Sequence, residues 1–143
     1  SDEEIKDAIE SYFPSNNRSQ WIQKDSNKIL LDAYNANPSS MTVAIENFAQ
    51  LNDKNKILFL GDMFELGNES DSEHQNIIDL AQKLNLKTFF IGKHFFKNKN
   101  EKSLFFESYE SLSEYITTNP IVEKTILIKG SRGMALEKIL NHI

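Results

Sequence analysis

Leu31-Asp32-Ala33-Tyr34-Asn35-Ala36-Asn37-Pro38-Ser39-Ser40 is the stretch on which the reading of this chain turns. The apolar run Lys28-Ile29-Leu30-Leu31 feeds it, and Met41, Ala44, Ile45, Phe48 and Leu51 then recur at helical spacing. An acid, a phenol and two amides therefore sit where a strand gives way to a helix. Pro38 suits the first helical position, because the N–H it lacks would be unpaired there anyway, and Asn37 then falls at the N-cap. A helix start offers free N–H groups and a partial positive charge to an anion. In open α/β sheets ligands gather outside the carboxyl ends of the strands. Taken alone, the same residues would also serve as a polar turn and a cap, so the rest of the chain decides.

Toward the N-terminus, Gln20 to Gln23 and Lys28 to Asp32 flank Asp25-Ser26-Asn27 in the manner of an antiparallel hairpin. Before it, Pro14-Ser15-Asn16-Asn17-Arg18 reads as a loop or hinge, and Asp2 to Phe13 as a short amphipathic helix. Toward the C-terminus the pattern becomes strand, loop, helix, repeated. Lys56-Ile57-Leu58-Phe59-Leu60, Thr88-Phe89-Phe90-Ile91 and Thr125-Ile126-Leu127-Ile128 are near-continuous apolar strands, and Phe105-Phe106 a short one. Helices are expected over about Ser72 to Leu84, over Tyr109 to Ile116, and after Gly133, where Met134, Leu136, Ile139 and Leu140 recur. Apolar strands without alternation, separated by helices, indicate a mostly parallel sheet covered on both faces. Right-handed crossovers then bring the strand-end loops to one rim: Asp32 to Asn37, Asp62 to Glu65, Lys93-His94 and Lys129 to Arg132.

A chain of 143 residues suits one domain with a full core, or one domain plus a tail. The net charge of -5 argues against a broad nucleic-acid footprint. No apolar segment approaches the roughly eighteen residues of a membrane span and no basic-then-apolar stretch opens the sequence, so neither a span nor a signal peptide is expected. The absence of cysteine excludes disulfides and thiolate chemistry and fits a reducing cytoplasm.

Two rim segments carry chemistry beside the first. Lys129-Gly130-Ser131-Arg132-Gly133 sets two cations and a hydroxyl after an apolar strand, which suits phosphate or carboxylate, although it is not a Walker loop. Gly61-Asp62-Met63-Phe64-Glu65-Leu66-Gly67 places two carboxylates three residues apart, able to orient an ammonium, hold a metal-bound water or accept a proton, but too few to specify a metal. His74 and His94 lack the company of a nucleophile and suggest no triad.

Taken as an ordered set, Arg18, Asp32-Ala33-Tyr34-Asn35-Ala36-Asn37-Pro38, the Gly61–Gly67 loop, His74 and Lys129-Gly130-Ser131-Arg132 resemble the C-terminal domain of the MurF family of Mur ligases. The resemblance covers residues 18–143 and makes residues 1–17 the end of a central ATPase domain or its linker. It implies a Rossmann-like three-layer α/β fold, its sheet mostly parallel with one antiparallel strand. It also implies an ATP- and Mg²⁺-dependent ligase of peptidoglycan precursor synthesis, and so of cell shape and division. Such an enzyme joins D-alanyl-D-alanine to UDP-N-acetylmuramoyl-tripeptide through an acyl phosphate. By the same resemblance Asp32 accepts hydrogen bonds from the ATP ribose, Arg18 lies against adenine, and Asn35 and Asn37 stand close to the nucleotide. Lys129, Ser131 and Arg132 fall on the acceptor side, for the dipeptide carboxylate or the acyl phosphate, and Asp62 and Glu65 are candidates for the attacking ammonium. The sequence has no Gly-x-x-Gly-Lys-Thr/Ser loop, so the phosphates and the Mg²⁺ ligands are expected on the central domain, and the chain alone is expected to be inactive. Asn17 stands where relatives often have glycine. A receiver-like phospho-accepting module is the alternative, on the strength of Asp62 and Lys129 following apolar strands, and a non-catalytic interaction domain a third.

Overall fold

The computed structural model describes residues 19–143. The helix expected over Asp2 to Phe13, the hinge and Arg18 lie outside the described residues. Strands β1 (Gln20–Lys24) and β2 (Asn27–Asp32) form the expected hairpin, in register from Gln20 opposite Leu31 to Lys24 opposite Asn27. Helix α1 (Pro38–Ala49) follows, then β3 (Lys56–Gly61), α2 (Ser70–Lys83), β4 (Lys87–Ile91), α3 (Lys93–Lys97), β5 (Leu104–Phe106), α4 (Tyr109–Thr118) and β6 (Thr125–Lys129). The sheet has six strands in the order β1-β2-β6-β3-β4-β5, and every pairing except β1 with β2 is parallel.

The near-continuous apolar strands are explained by burial on both faces. Leu58, Leu60, Phe90 and Leu127 pack with Met41, Ile45 and Phe48 of α1, Ile77 and Ile78 of α2, and Phe95 of α3. The alternate residues Ile57, Phe59, Phe89, Ile91, Ile126 and Ile128 pack with Leu112 and Ile116 of α4 and with Leu136 and Ile139 near the C-terminus. The result is three layers. All five residues of β6 are buried, as befits the middle of the sheet.

The helix starts obey local chemistry. Asn37 caps α1, accepting from the Ser40 N–H at 2.9 Å, while the Asn37 N–H donates to Ser40 Oγ at 3.1 Å, with Pro38 just inside. Ser108 caps α4 through the same reciprocal pair with Ser111.

Two expectations need correction. Lys93-His94 is not a loop but opens the short helix α3, whose first N–H groups are met by a side chain from another strand end. The segment after Gly133 is not an α-helix. It makes two 3₁₀ turns, Arg132–Met134 and Leu136–Asn141, separated by Ala135 in the left-handed region at φ 51°. Leu136, fully buried, fills the notch left by Gly61 and Gly130, where an added β-carbon would come within 2.7 and 2.8 Å of its Cδ1. The apolar spacing that reads as helical is thus satisfied by tight turns, and the Lys129–Gly133 segment opens no α-helix N-terminus.

Candidate functional site

Three strand ends meet at the rim. Asp32 ends β2 and Lys129 ends β6, and parallel register makes them direct neighbours although 97 residues separate them. Lys129 Nζ donates to Asp32 Oδ2 at 2.9 Å and to the Asn35 carbonyl at 3.0 Å. The lysine is 2% exposed, while the Asp32 side chain keeps 19% of its surface open. Among the described residues nothing donates to Asp32 Oδ1. The acid near the start of the chain and the cation near its end therefore share one edge of the sheet.

This pair lines a cleft of about 640 Å³ that also takes in Trp21, Leu30, Asn37 and Val43. Its walls are chiefly apolar, with Asn47 and the serines of α1 adding polar groups. The side chains of Asn35 and Asn37 are exposed at the same rim, with the Asn37 side-chain oxygen occupied by its capping bond. Arg132 is exposed, and its guanidinium carbon lies 5.3 Å from the centre of the Tyr34 ring. Tyr34, which the strand-to-helix motif contains but which was not singled out as a site residue, is thereby tied to the cationic segment. Its signal was the unusual placing of a large aromatic among polar rim residues.

The Asp62 loop behaves differently. Asp62 is 3% exposed, and its Oδ2 and Oδ1 accept from the N–H groups of His94 at 2.9 Å and Phe95 at 3.0 Å. It is the cap of α3 supplied from β3. Gly92 makes room for it: at φ +125° a β-carbon there would lie 2.3 Å from the carboxylate carbon. Ser131 closes the other side, its Oγ accepting from the Phe64 N–H at 3.0 Å and its N–H donating to the Asp62 carbonyl at 3.2 Å. His74, fully buried, accepts the Met63 N–H through Nε2 at 3.0 Å. Its Nδ1 then carries the proton and donates to the Ser70 carbonyl at 2.7 Å. Burial pushes the His74 pKa below 6.5, against the opposing pull of the Ser70 carbonyl and the Asp62 carboxylate. A neutral ring also explains why Asp62 Oδ1, 3.9 Å from Nε2, makes no ion pair with it. Glu65 is exposed, with φ 64°.

So the rim gathers Asp32, Asn35, Asn37, Lys129 and Arg132, whereas Asp62 and Ser131 are turned to bonds within the domain. The receiver-like alternative requires a carboxylate open to attack beside a lysine. Asp62 has both oxygens occupied, and Lys129 is paired with Asp32 instead. Among the described residues no group of three or more His, Asp or Glu could hold a metal ion.

These features define a class: a Rossmann-like α/β domain whose polar side chains collect at the carboxyl end of a mostly parallel sheet. The chain belongs to the Mur ligase, glutamate ligase domain family, which matches residues 17–132. It is 33% identical over 132 residues to the UDP-N-acetylmuramoyl-tripeptide–D-alanyl-D-alanine ligase of Rickettsia prowazekii, covering 87% of this chain and 29% of that protein. A MurF structure from Acinetobacter baumannii aligns with a TM-score of 0.75 at 28% identity, over 90% of this chain and 30% of that one. MurF ligase from Thermotoga maritima, solved in complex with ADP, shares the fold with a TM-score of 0.73 at 23% identity, over 87% of this chain and 30% of that one. The chain thus spans a little under a third of the length of such relatives.

Proposed function

We propose that this chain is the C-terminal domain of an ATP-dependent, amide-forming ligase that adds D-alanyl-D-alanine to UDP-N-acetylmuramoyl-tripeptide through an acyl phosphate, in peptidoglycan precursor synthesis. Residues 18–143 form the domain, and residues 1–17 belong to the end of a central ATPase domain or the linker after it. The observation that carries this reading is the neighbouring of Asp32 and Lys129 in the lining of a cleft, in a chain whose relatives bear that ligase's name.

In this reading Asp32 accepts a ribose hydroxyl through Oδ1, the oxygen with no donor among the described residues, and a carboxylate is an acceptor-only group suited to a diol. Asn35 and Asn37 line the nucleotide, and Arg18 lies against adenine. Of the acceptor-side residues, Arg132 and Glu65 have exposed charge, suited to the carboxylate and ammonium of a zwitterionic dipeptide. Ser131 and Asp62 serve the same side by holding the loops in place, each through the bonds described above, and Lys129 joins the two sides through its bonds to Asp32 and the Asn35 carbonyl. The described residues do not fit a Mg²⁺ site, and its ligands are assigned to the central domain, along with the cradle for the phosphates. Closure of this domain on that one completes the ATP site. The enzyme works in the cytoplasm, where ATP and UDP-linked precursors are at hand, and no helix among the described residues is long and apolar enough to cross a membrane.

The test is kinetic, in the complete ligase. Asp32→Ala is expected to raise KM for ATP by about tenfold or more, the worth of a charge-assisted hydrogen bond, while KM for D-alanyl-D-alanine stays put. An unchanged KM for ATP would overturn the assignment. The 143-residue chain alone is expected to give no turnover.

A further inference from the structure

We infer that Lys129 is a positioning residue for nucleotide recognition, holding the Asp32 carboxylate and the Asn35 loop in place rather than touching either substrate. The inference rests on the ribose reading of Asp32. Three observations carry it.

The ammonium is directed inward. Lys129 is 2% exposed, and two of its three N–H donors are accounted for by Asp32 Oδ2 at 2.9 Å and the Asn35 carbonyl at 3.0 Å. A group so enclosed is poorly placed to meet an incoming carboxylate or an acyl phosphate. Arg132, three residues on and exposed, is far better placed to do so.

The bond is selective between the two carboxylate oxygens. An aspartate free to rotate about its last torsion offers its oxygens over a broad range of directions. Lys129 fixes Oδ2, so Oδ1 is left as the acceptor for an outside donor. Pre-setting an acceptor in this way reduces the ordering cost of binding.

The same ammonium binds two chain segments together. The Asn35 carbonyl belongs to the loop between β2 and α1, which carries the Asn35 side chain and leads into the Asn37 cap. Strand register brings Lys129 beside Asp32, and a compact point charge can satisfy two oxygens there, which a planar guanidinium fork would do less readily. Lys129 thus sets the acid and the loop relative to each other.

The experiment compares ATP with its 2′-deoxy and 3′-deoxy analogues as substrates of the complete ligase, for Asp32→Asn, Lys129→Met and the double variant. The wild type is expected to prefer ATP over at least one analogue. Asp32→Asn should reduce that preference by about tenfold, and Lys129→Met should reduce it comparably, with KM for D-alanyl-D-alanine unchanged. The double variant should lose no more preference than Asp32→Asn alone, because Lys129 acts through Asp32. Where Lys129→Met does not fold, the double variant, which leaves no charge of this pair buried without its partner, still tests direct substrate contact through KM for the dipeptide. If removing Lys129, alone or on top of Asp32→Asn, raises KM for the dipeptide while the ATP preference tracks Asp32 only, the inference is overturned and Lys129 contacts substrate. If Asp32→Asn itself leaves the ATP preference untouched, the ribose reading fails, and this inference with it.

Discussion

Asp32 and Asp62 both sit where an apolar parallel strand ends, and both face the same rim, yet they have opposite roles in the architecture. Asp62 receives two backbone N–H groups and has a glycine flank carved to its shape. Asp32 receives one ammonium on one oxygen. The first carboxylate completes the fold, and the second is left with capacity for something outside it. What separates them is how many donors the surrounding chain supplies, a quantity that neither strand encodes by itself.

The sharpest way to break this contrast is to crowd Asp62. Gly92→Ala puts a methyl group onto the carboxylate and forces an L-residue to φ +125°. A loss of about 3–4 kcal/mol in chemical unfolding is expected, from strain and the displaced cap together. Amide substitutions test the donor count more finely. Asp62→Asn replaces one of two needed acceptors with a donor and should cost about 2–3 kcal/mol, whereas Asp32→Asn can still turn its oxygen to Lys129 and should cost about 1 kcal/mol. Equal losses would erase the distinction. The smallest effect concerns pH. His74 is held neutral by burial, so its folded pKa is lower than the 6.5 of an exposed ring. The unfolded chain then binds the proton first as pH falls. Stability is complete above 6.5 and declines from there until the lowered folded pKa is passed. Urea midpoints at about pH 7.5 and about pH 5.5 should differ more in the wild type than in His74→Gln, which lacks the buried ring.

Most of the fold was legible because its signals are local or periodic. The hairpin is announced by a polar turn between Trp21-Ile22 and the apolar run Ile29-Leu30-Leu31, and α1 by Asn37-Pro38 ahead of Met41. The sheet is announced by strands that do not alternate, which only two-sided burial allows. The misread places are those where a distant group decides. Nothing in Gly92-Lys93-His94 reveals that a carboxylate thirty residues earlier will cap a helix there. Nothing in the spacing of Met134, Leu136 and Ile139 reveals that a pair of glycines on neighbouring strands will draw Leu136 between them. The rim residues were identifiable by type and by their position after strands, but the direction of each side chain was not. Lys129 shows this most plainly, since its place on the rim follows from strand order, while its inward bond depends on Asp32 being its register neighbour.

Of the described strands, the one that completes the rim comes latest in the chain, and it belongs in the middle. β6 lies between β2 and β3, so until residues 125–129 have left the ribosome those two strands have no shared partner. A nascent chain can close the hairpin and assemble β3 with β4, but it holds two sheet fragments with open edges facing each other. Joining them means closing a loop of almost the whole domain, a slow step by its topology. The nucleotide edge proposed here therefore forms only once β6 is in place, and a chain interrupted before Thr125 would lose the centre of its sheet.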